Sequence, residues 1–465
     1  MKDIHVVTEV LQLFSTREAW EYRLVPFQEK GNTVYCYGEE GYEYQRVLVE
    51  LEVLTGKEIE IKYLDKEEFA RLLNRSYRQE LERKNNSSTS GKRSFLHGLI
   101  EEAFQSYASD IHLEIYEDRC RVRFRIDGKL IERHVIERGN YAALVNQVKI
   151  LANLDISEKR LPQDGRILYN EGDDKFDVRV SSLPTIHGEK IVMRLLTRHV
   201  ELLDLKNLGF SKKQLTDFLA AVRNPHGLVL ISGPTGSGKS TTLYATLRLL
   251  NEETSNILTI EDPVEYTLQG VNQVQLKEEI GLTFTSALRT FLRQDPDIIM
   301  LGEIRDADTA HMAIRSSLTG HLILSTIHTN SAWGSVSRLI DMGAHPYLIA
   351  DTLVACVAQR LVRLLCPCCK QEIKVNDSML GVPSSVKTLF KAVGCEQCYY
   401  TGYRGRKAIY EVIPVDGELA SVIREKESDV EPYLRERKIR TLADSAIELL
   451  ETGQTSLEEV ITLLH

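Results

Sequence analysis

One stretch constrains this chain more than any other: GLVLISGPTGSGKSTTLYATLRLL, residues 227–250. An apolar run enters a helix-forming run through Gly233-x4-Gly238-Lys239-Ser240. A strand that turns into a helix through such a loop predicts an α/β fold with a buried parallel sheet. The loop Gly233, Pro234, Thr235, Gly236, Ser237 and Gly238 is built to turn backbone N–H groups inward around phosphate oxygens. The helix start adds partial positive charge. Lys239 is expected at the β- and γ-phosphates, Ser240 on Mg²⁺, and Thr241 beside them. The competing reading is a chance glycine-rich turn, and the strand and helix on either side argue against it.

Three further apolar runs read as parallel strands of the same sheet: NILTI at 256–260, DIIML at 297–301 and HLILSTI at 321–327. Polar residues at the carboxyl ends of such strands face the ligand crevice. After the second run comes Gly302-Glu303, where a generic nucleotidase of this type carries Asp before the next residue. Glu303 is expected either to act on Mg²⁺ through water or to orient the attacking water, and its strand is expected beside the phosphate-loop strand. Glu261, Asp262 and Glu265 follow the first run, and Glu261 is the leading candidate to accept from that water. An exposed acidic turn shaped by Pro263 is the alternative. His328 follows the third run and His321 begins it; a lone histidine is more often structural, but His328 lies where a γ-phosphate sensor is expected. Arg289 and Arg293 fall at i, i+4 on one predicted helical face, and Arg305 follows Glu303. The planar guanidinium suits phosphate, so these three are candidates to act across a subunit boundary. A solvated basic face is the alternative.

At 465 residues the chain predicts two to four domains. Residues 1–83 mix short helical and strand-like patterns and carry no catalytic signature. KNNSSTSGKRS, at 84–94, reads as a flexible linker. Residues 95–200 read as a small α+β domain, with a hairpin at Asp127-Gly128 and a helix through YAALVNQVKILANL. The sheet with the phosphate loop occupies 201–465. A net charge of −9 disfavours broad nucleic-acid binding. No apolar run reaches the roughly 18 residues of a membrane span, and MKDIHVVTEVLQLF is unlike a signal peptide. A cytoplasmic chain that meets membranes only through partners is the expectation.

Five of the eight cysteines cluster within residues 366–398. Cys366-x2-Cys369 and Cys395-x2-Cys398 stand 25 residues apart. Four thiolates so spaced suit structural, tetrahedral Zn²⁺, with Cys368 able in principle to replace Cys369; buried unligated cysteines are the alternative.

In combination these motifs resemble the type II secretion and type IV pilus assembly ATPases, the GspE/PilB family. The resemblance covers about 95–465. It rests on SDIHLE (109–114), RLPQDGR (160–166), DVRVSSLPT (177–185), GEKIVMRLL (188–196), the Walker A loop, TIEDPVEY (259–266) as the Asp box, RQDPDIIMLGEIRD (293–306) as an atypical Walker B, TGHLILSTIHTNSA (319–332) as the His box, and TGQTSLEEV (452–460). It implies a homo-hexameric motor with a RecA-like P-loop ATPase domain, a preceding PAS-like N2 domain, and an N-terminal domain that recruits an inner-membrane platform. ATP would bind between N2 and the RecA-like domain. Glu265 would join the nucleotide site, and Arg179 and Arg194 would close on the phosphates. Arg289, Arg293 and Arg305 match the family's motor arginines. The output would be pilin or pseudopilin assembly, and the tetracysteine module argues for assembly over retraction. A retraction or competence motor, a DNA translocase and an ATP-binding scaffold are the alternatives. Acidic composition weighs against DNA; intact Lys239, Glu261 and Glu303 weigh against the scaffold.

Overall fold

The computed structural model describes residues 8–77, apart from 12, 15, 46, 49, 50 and 53–55, and then 95–171, 174–196, 204–374, 383, 385–425 and 430–464. The expected linker at 84–94 lies outside the described residues. The chain divides into two compact units. One comprises 1–197 with the cysteine-bearing segments 366–371 and 392–404; the other holds 198–365, 372–391 and 405–465.

In the first unit β1 (Leu24–Lys30) runs antiparallel to β2 (Thr33–Glu39), and β3 (Glu58–Leu64) joins β2 in parallel. Helix α1 (Lys66–Ser76) follows, its first turn capped by Asp65, which accepts from the N–H groups of Glu67 and Glu68 at 3.0 and 2.9 Å. Next come α2 (Phe95–Gln105), β4 (Ala108–Ile115), β5 (Cys120–Ile126), β6 (Lys129–Ile136), α3 (Arg138–Leu151), β7 (Gln163–Glu171), β8 (Asp174–Thr185) and β9 (Gly188–Leu196). These strands form an antiparallel sheet in the order β6-β5-β4-β9-β8-β7. Strand β5, CRVRFRI, alternates buried Cys120, Val122, Phe124 and Ile126 with outward Arg121, Arg123 and Arg125. Its hairpin to β6 turns on Asp127 and Gly128, both at positive φ (47° and 86°), as that dipeptide predicts.

The second unit is built on α4 (Lys212–Val222), β10 (Gly227–Ser232), α5 (Lys239–Leu250), β11 (Ile257–Glu261), β12 (Asn272–Gln275), α6 (Phe284–Phe291), β13 (Ile298–Leu301), α7 (Ala307–Leu318), β14 (Leu322–Ile327) and β15 (Leu353–Leu365). Strands β16 (Gln371–Lys374) and β17 (Thr388–Lys391) form a small separate sheet. Strand β18 (Tyr403–Pro414) and helix α8 (Leu442–Glu451) follow. The main sheet has the order β12-β11-β13-β14-β10-β15-β18, parallel from β12 through β15. Successive residues of β10 feed opposite layers. Leu228 and Leu230 pack with Leu288, Ala310 and Ala313 of α6 and α7; Val229 and Ile231 pack with Phe218, Leu243 and Leu247 of α4 and α5. Fully buried on both faces, these strands read as unbroken apolar runs.

The expectation that the Glu303 strand neighbours the phosphate-loop strand is corrected. Strand β14 lies between β10 and β13, pairing with both. Its carboxyl end, and His328 after it, therefore stands between the phosphate loop and Glu303.

Candidate active site

The phosphate loop leaves β10 and enters α5 through Gly238, whose φ of 87° is a left-handed conformation that L side chains rarely adopt. A Cβ there would also lie 2.9 Å from Gln359 Nε2. Lys239 is only 8% exposed, and its ammonium donates to the carbonyls of Gly233 (2.8 Å) and Pro234 (3.1 Å). Burial lowers its pKa, against the opposing pull of Glu303. The Ser237 hydroxyl is buried in the loop without a hydrogen-bond partner, while Ser240 and Thr241 face solvent on the first turn of α5. A fixed cation, an orphaned hydroxyl and an open helix start are what a triphosphate requires, so the residues present fit a nucleotide. The exposed Ser240 hydroxyl suits Mg²⁺.

Glu303 follows β13 and gathers the nearby charges. Arg305 pairs with it, His328 Nε2 lies 3.2 Å from its other oxygen, and Arg305 also reaches Asp262 at 3.5 Å. Burial would raise the Glu303 pKa, but hydrogen bonding and charge from Arg305 and His328 outweigh it and hold the carboxyl below its ordinary value. Gly302 has a steric reason. A Cβ there would meet Ile260 O at 3.3 Å and Glu261 Cα at 3.4 Å on β11, and the residue's own N–H bonds Ile260 O at 2.8 Å. A side chain at this position would sit tightly against β11, and the neighbouring backbone would have to give by a few tenths of an ångström.

Glu261 occupies a different environment. It is 4% exposed and takes hydrogen bonds from Tyr244 Oη, Thr259 Oγ1 (2.6 Å) and Gln273 Nε2 (3.1 Å). A carboxylate so enclosed is poorly placed to meet a water. Of the two carboxylates left open by the sequence, the geometry favours Glu303 for that contact. The backbone N–H of Glu265 donates to Tyr244 Oη at 3.2 Å, tying that loop to the same group.

The remaining candidates separate. His321 stands at the amino end of β14, its ring bonded to Ser316 O at 3.0 Å, at the opposite end of the strand from His328. Helix α6 ends at Phe291, so Arg293 lies beyond it in a turn, and the expected i, i+4 face is corrected; its guanidinium returns to Arg289 O at 2.9 Å. Arg289 is exposed on the last turn of α6. In the first unit, Arg179 of β8 and Arg194 of β9 sit opposite one another in register, and Arg194 pairs with Asp110 at 3.0 Å.

Residues the sequence reading passed over complete the site. Tyr244 and Gln273 hold Glu261. Arg360 donates to Asn330 O at 2.8 Å and lies beside the phosphate loop, 3.1 Å from where a Gly233 Cβ would stand. Glu411, buried on β18, accepts from the N–H groups of Ala332 (2.8 Å) and Leu442 (3.4 Å), fastening the loop after His328 to the start of α8. Burial raises its pKa. One signal was available: Gln359-Arg360 is a polar pair inside the apolar run VACVAQRLVRLL.

The sulfurs of Cys366, Cys369, Cys395 and Cys398 all lie within 4.8 Å of one another. Pairwise separations of 3.7, 3.7 and 3.8 Å match the edge of about 3.8 Å of a tetrahedron with Zn–S near 2.3 Å. Backbone N–H groups of Gly394 and Gly402 point at Cys369 and Cys398 sulfurs, both at 3.3 Å, as for thiolates. Cys368 is exposed and outside this group, which removes it as a substitute for Cys369. The donor set fits zinc.

Residues 85–462 match the family model described as type II/IV secretion system protein. The chain is 46% identical to type II secretion system protein E of Pseudomonas aeruginosa over 371 residues, covering 79% of this chain and 74% of that protein. It is 45% identical to type II secretion system ATPase E of Vibrio cholerae over 372 residues, with the same coverage of 79% and 74%. Identity to the type IV pilus assembly ATPase PilB of Myxococcus xanthus is 48% over 377 residues, 78% of this chain and 66% of that one. Among solved structures, the Legionella pneumophila ATPase DotB superposes with a TM-score of 0.60 at 21% identity, covering 81% of this chain and 97% of that chain. The pilus retraction motor PilT with bound ADP gives 0.56 at 24% identity, covering 80% and 97%. At these identities both likenesses speak to the RecA-like fold.

Proposed function

Because the chain belongs to the type II/IV secretion system protein family, we propose that it is an ATP-hydrolysing motor that drives pseudopilin or pilin assembly. The observation that carries this reading is the convergence of Lys239, His328 and Glu303 at the carboxyl ends of β10, β14 and β13, three consecutive strands of the parallel sheet. Lys239 and the loop before it bind the phosphates. Glu303 accepts a hydrogen bond from the attacking water, lining it up with the γ-phosphorus as the bond to the bridging oxygen breaks and ADP leaves. His328 and Arg305 orient that carboxylate. Mg²⁺, held by Ser240 when bound, would neutralise charge on the β- and γ-oxygens. Zn²⁺ at the four cysteines would be structural, since no ligand position is left for water.

Assembly rather than retraction is supported by the tetracysteine cluster and by the 45–48% identity to proteins named for secretion and pilus assembly. The working form would be a homo-hexamer in the cytoplasm, recruited to an inner-membrane platform through residues 1–83. Among the described residues no helix is long and apolar enough to cross a membrane. Arg179 and Arg194 would close on the phosphates from the N2 domain, and Arg289, Arg293 and Arg305 would act between subunits.

The test is Glu303→Gln. It keeps the shape, loses the charge, and should retain ATP binding while slowing hydrolysis by roughly 100-fold. Lys239→Ala should lose both. Wild-type hydrolysis by Glu303→Gln would overturn the assignment.

A further inference from the structure

Tyr244 lies on α5 one turn beyond Ser240, and it is 1% exposed. Its hydroxyl meets three elements at once. It donates to Glu261 Oε2 at the end of β11, accepts from the Glu265 N–H at 3.2 Å in the following loop, and stands 3.5 Å from Gln273 Nε2 on β12. Gln273 in turn donates to Glu261 Oε1 and to the carbonyl of Tyr266 at 3.2 Å.

Resting on the nucleotide-hydrolysis reading above, we propose that Tyr244 is a positioning residue which locks the acidic 261–265 loop to the helix that carries the phosphate-binding residues. Lys239, Ser240 and Thr241 occupy the first turn of α5, so any shift of that helix when phosphate binds passes through one hydroxyl to Glu261 and to the Glu265 backbone. Burial and the adjacent Glu261 charge push the phenol well above its ordinary pKa, so the proton stays on oxygen and points to the carboxylate. A buried carboxylate is stable only while its donors are in place. Glu261 has three, drawn from α5, from β12 and from its own strand. Held this way, Glu261 acts by fixing the loop and its electrostatic field.

Tyr244→Phe removes the hydroxyl and keeps the ring, which packs against Tyr266 with centroids 4.2 Å apart. Misplacing a catalytic group by a fraction of its proper geometry is enough for a rate loss of about tenfold to a hundredfold. The full-length protein should therefore lose that much in kcat, while the Kd for ATP stays within about threefold. Gln273→Leu, which strips a donor from the other Glu261 oxygen, should lower kcat in the same direction with Kd retained. A Tyr244→Phe protein with wild-type kcat overturns the proposal. So does a fall in kcat matched by equal falls in ATP affinity and melting temperature, which is what a purely structural tyrosine would produce. If Tyr244→Phe fails to fold, Gln273→Leu decides alone: an unchanged kcat there overturns the proposal. Glu303→Gln measured alongside separates the two readings. Its hydrolysis at the wild-type rate defeats the hydrolysis assignment, whereas an inactive Glu303→Gln beside a fully active Tyr244→Phe defeats only this one.

Discussion

Glu303 and Glu261 show how residues of one type at two neighbouring strand ends meet different surroundings. Glu303 faces a guanidinium and an imidazole at a half-open edge; Glu261 is enclosed by a phenol, a hydroxyl and an amide. Surroundings likewise govern a carboxylate of the six-stranded antiparallel sheet in the first unit. Glu114 is buried among Arg121 (2.9 Å), Arg123 (2.7 Å) and Lys190 (3.3 Å). Burial alone would raise its pKa, but these cations hold it at about 2, against an ordinary value of 4.5. A depressed folded-state pKa means stabilisation that is fully present above about 4.5 and lost as pH falls through about 2. Glu114→Gln should thus lower stability near neutrality and flatten the decline between those two values. Denaturant midpoints measured across that range check it. A variant whose acid decline stays as steep as wild type would show that Glu114 does not carry this linkage.

At the scale of elements, the tetracysteine segments are small pieces whose four sulfurs lie within 4.8 Å of one another. The backbone N–H groups of Gly394 and Cys395 donate to the sulfurs of Cys369 and Cys398, and along the chain a short two-stranded sheet falls between the two cysteine pairs. Such pieces have little apolar mass, and a metal bound there would supply folding energy that the segments lack. Full-length protein purified without chelator should carry one zinc per chain by elemental analysis. Cys395→Ser and Cys369→Ser should lose it, while Cys368→Ser retains it, because Cys368 is exposed outside the cluster. ATP affinity should change little in Cys395→Ser, since the phosphate loop is built on other strands. Less than about half an equivalent of zinc in the wild type, with all four thiols reactive, would remove the site.

For the whole molecule, the exposed arginines near the end of α6 are the residues on which a role between subunits can be tested. Arg289 and Arg293 stand exposed at and after the end of α6. If they or Arg305 complete a neighbouring subunit's site, specific activity should rise with protein concentration through the assembly range. A Lys239→Ala chain mixed with wild type should then depress activity beyond simple dilution. An arginine supplied in trans is worth about 10³- to 10⁵-fold in rate, so the effect should be large. Specific activity that stays constant from monomer to hexamer, with mixtures behaving additively, would rule out trans action.

Much of the fold was legible because local patterns coincide with global roles. Uninterrupted apolar runs gave away the parallel strands, alternation revealed β5, and the glycine-rich turn announced α5. The positions of Glu261, Glu303 and His328 at or just past strand ends, and of Lys239 at a helix start, could be read from the sequence. Three matters needed the tertiary structure. Strand order was one: sequence neighbours need not be sheet neighbours, so only the fold placed β14 between β10 and β13. The contrast in surroundings between Glu261 and Glu303 was another, since it depends on Tyr244 from a helix and Gln273 from an edge strand. Last, Arg360 and Glu411 lie in long strands without a motif, and only packing brought them to the phosphate loop and the His328 loop. Sequence pattern reports what a segment does with its own neighbours along the chain; which distant donor meets a given carboxylate is settled when the layers close.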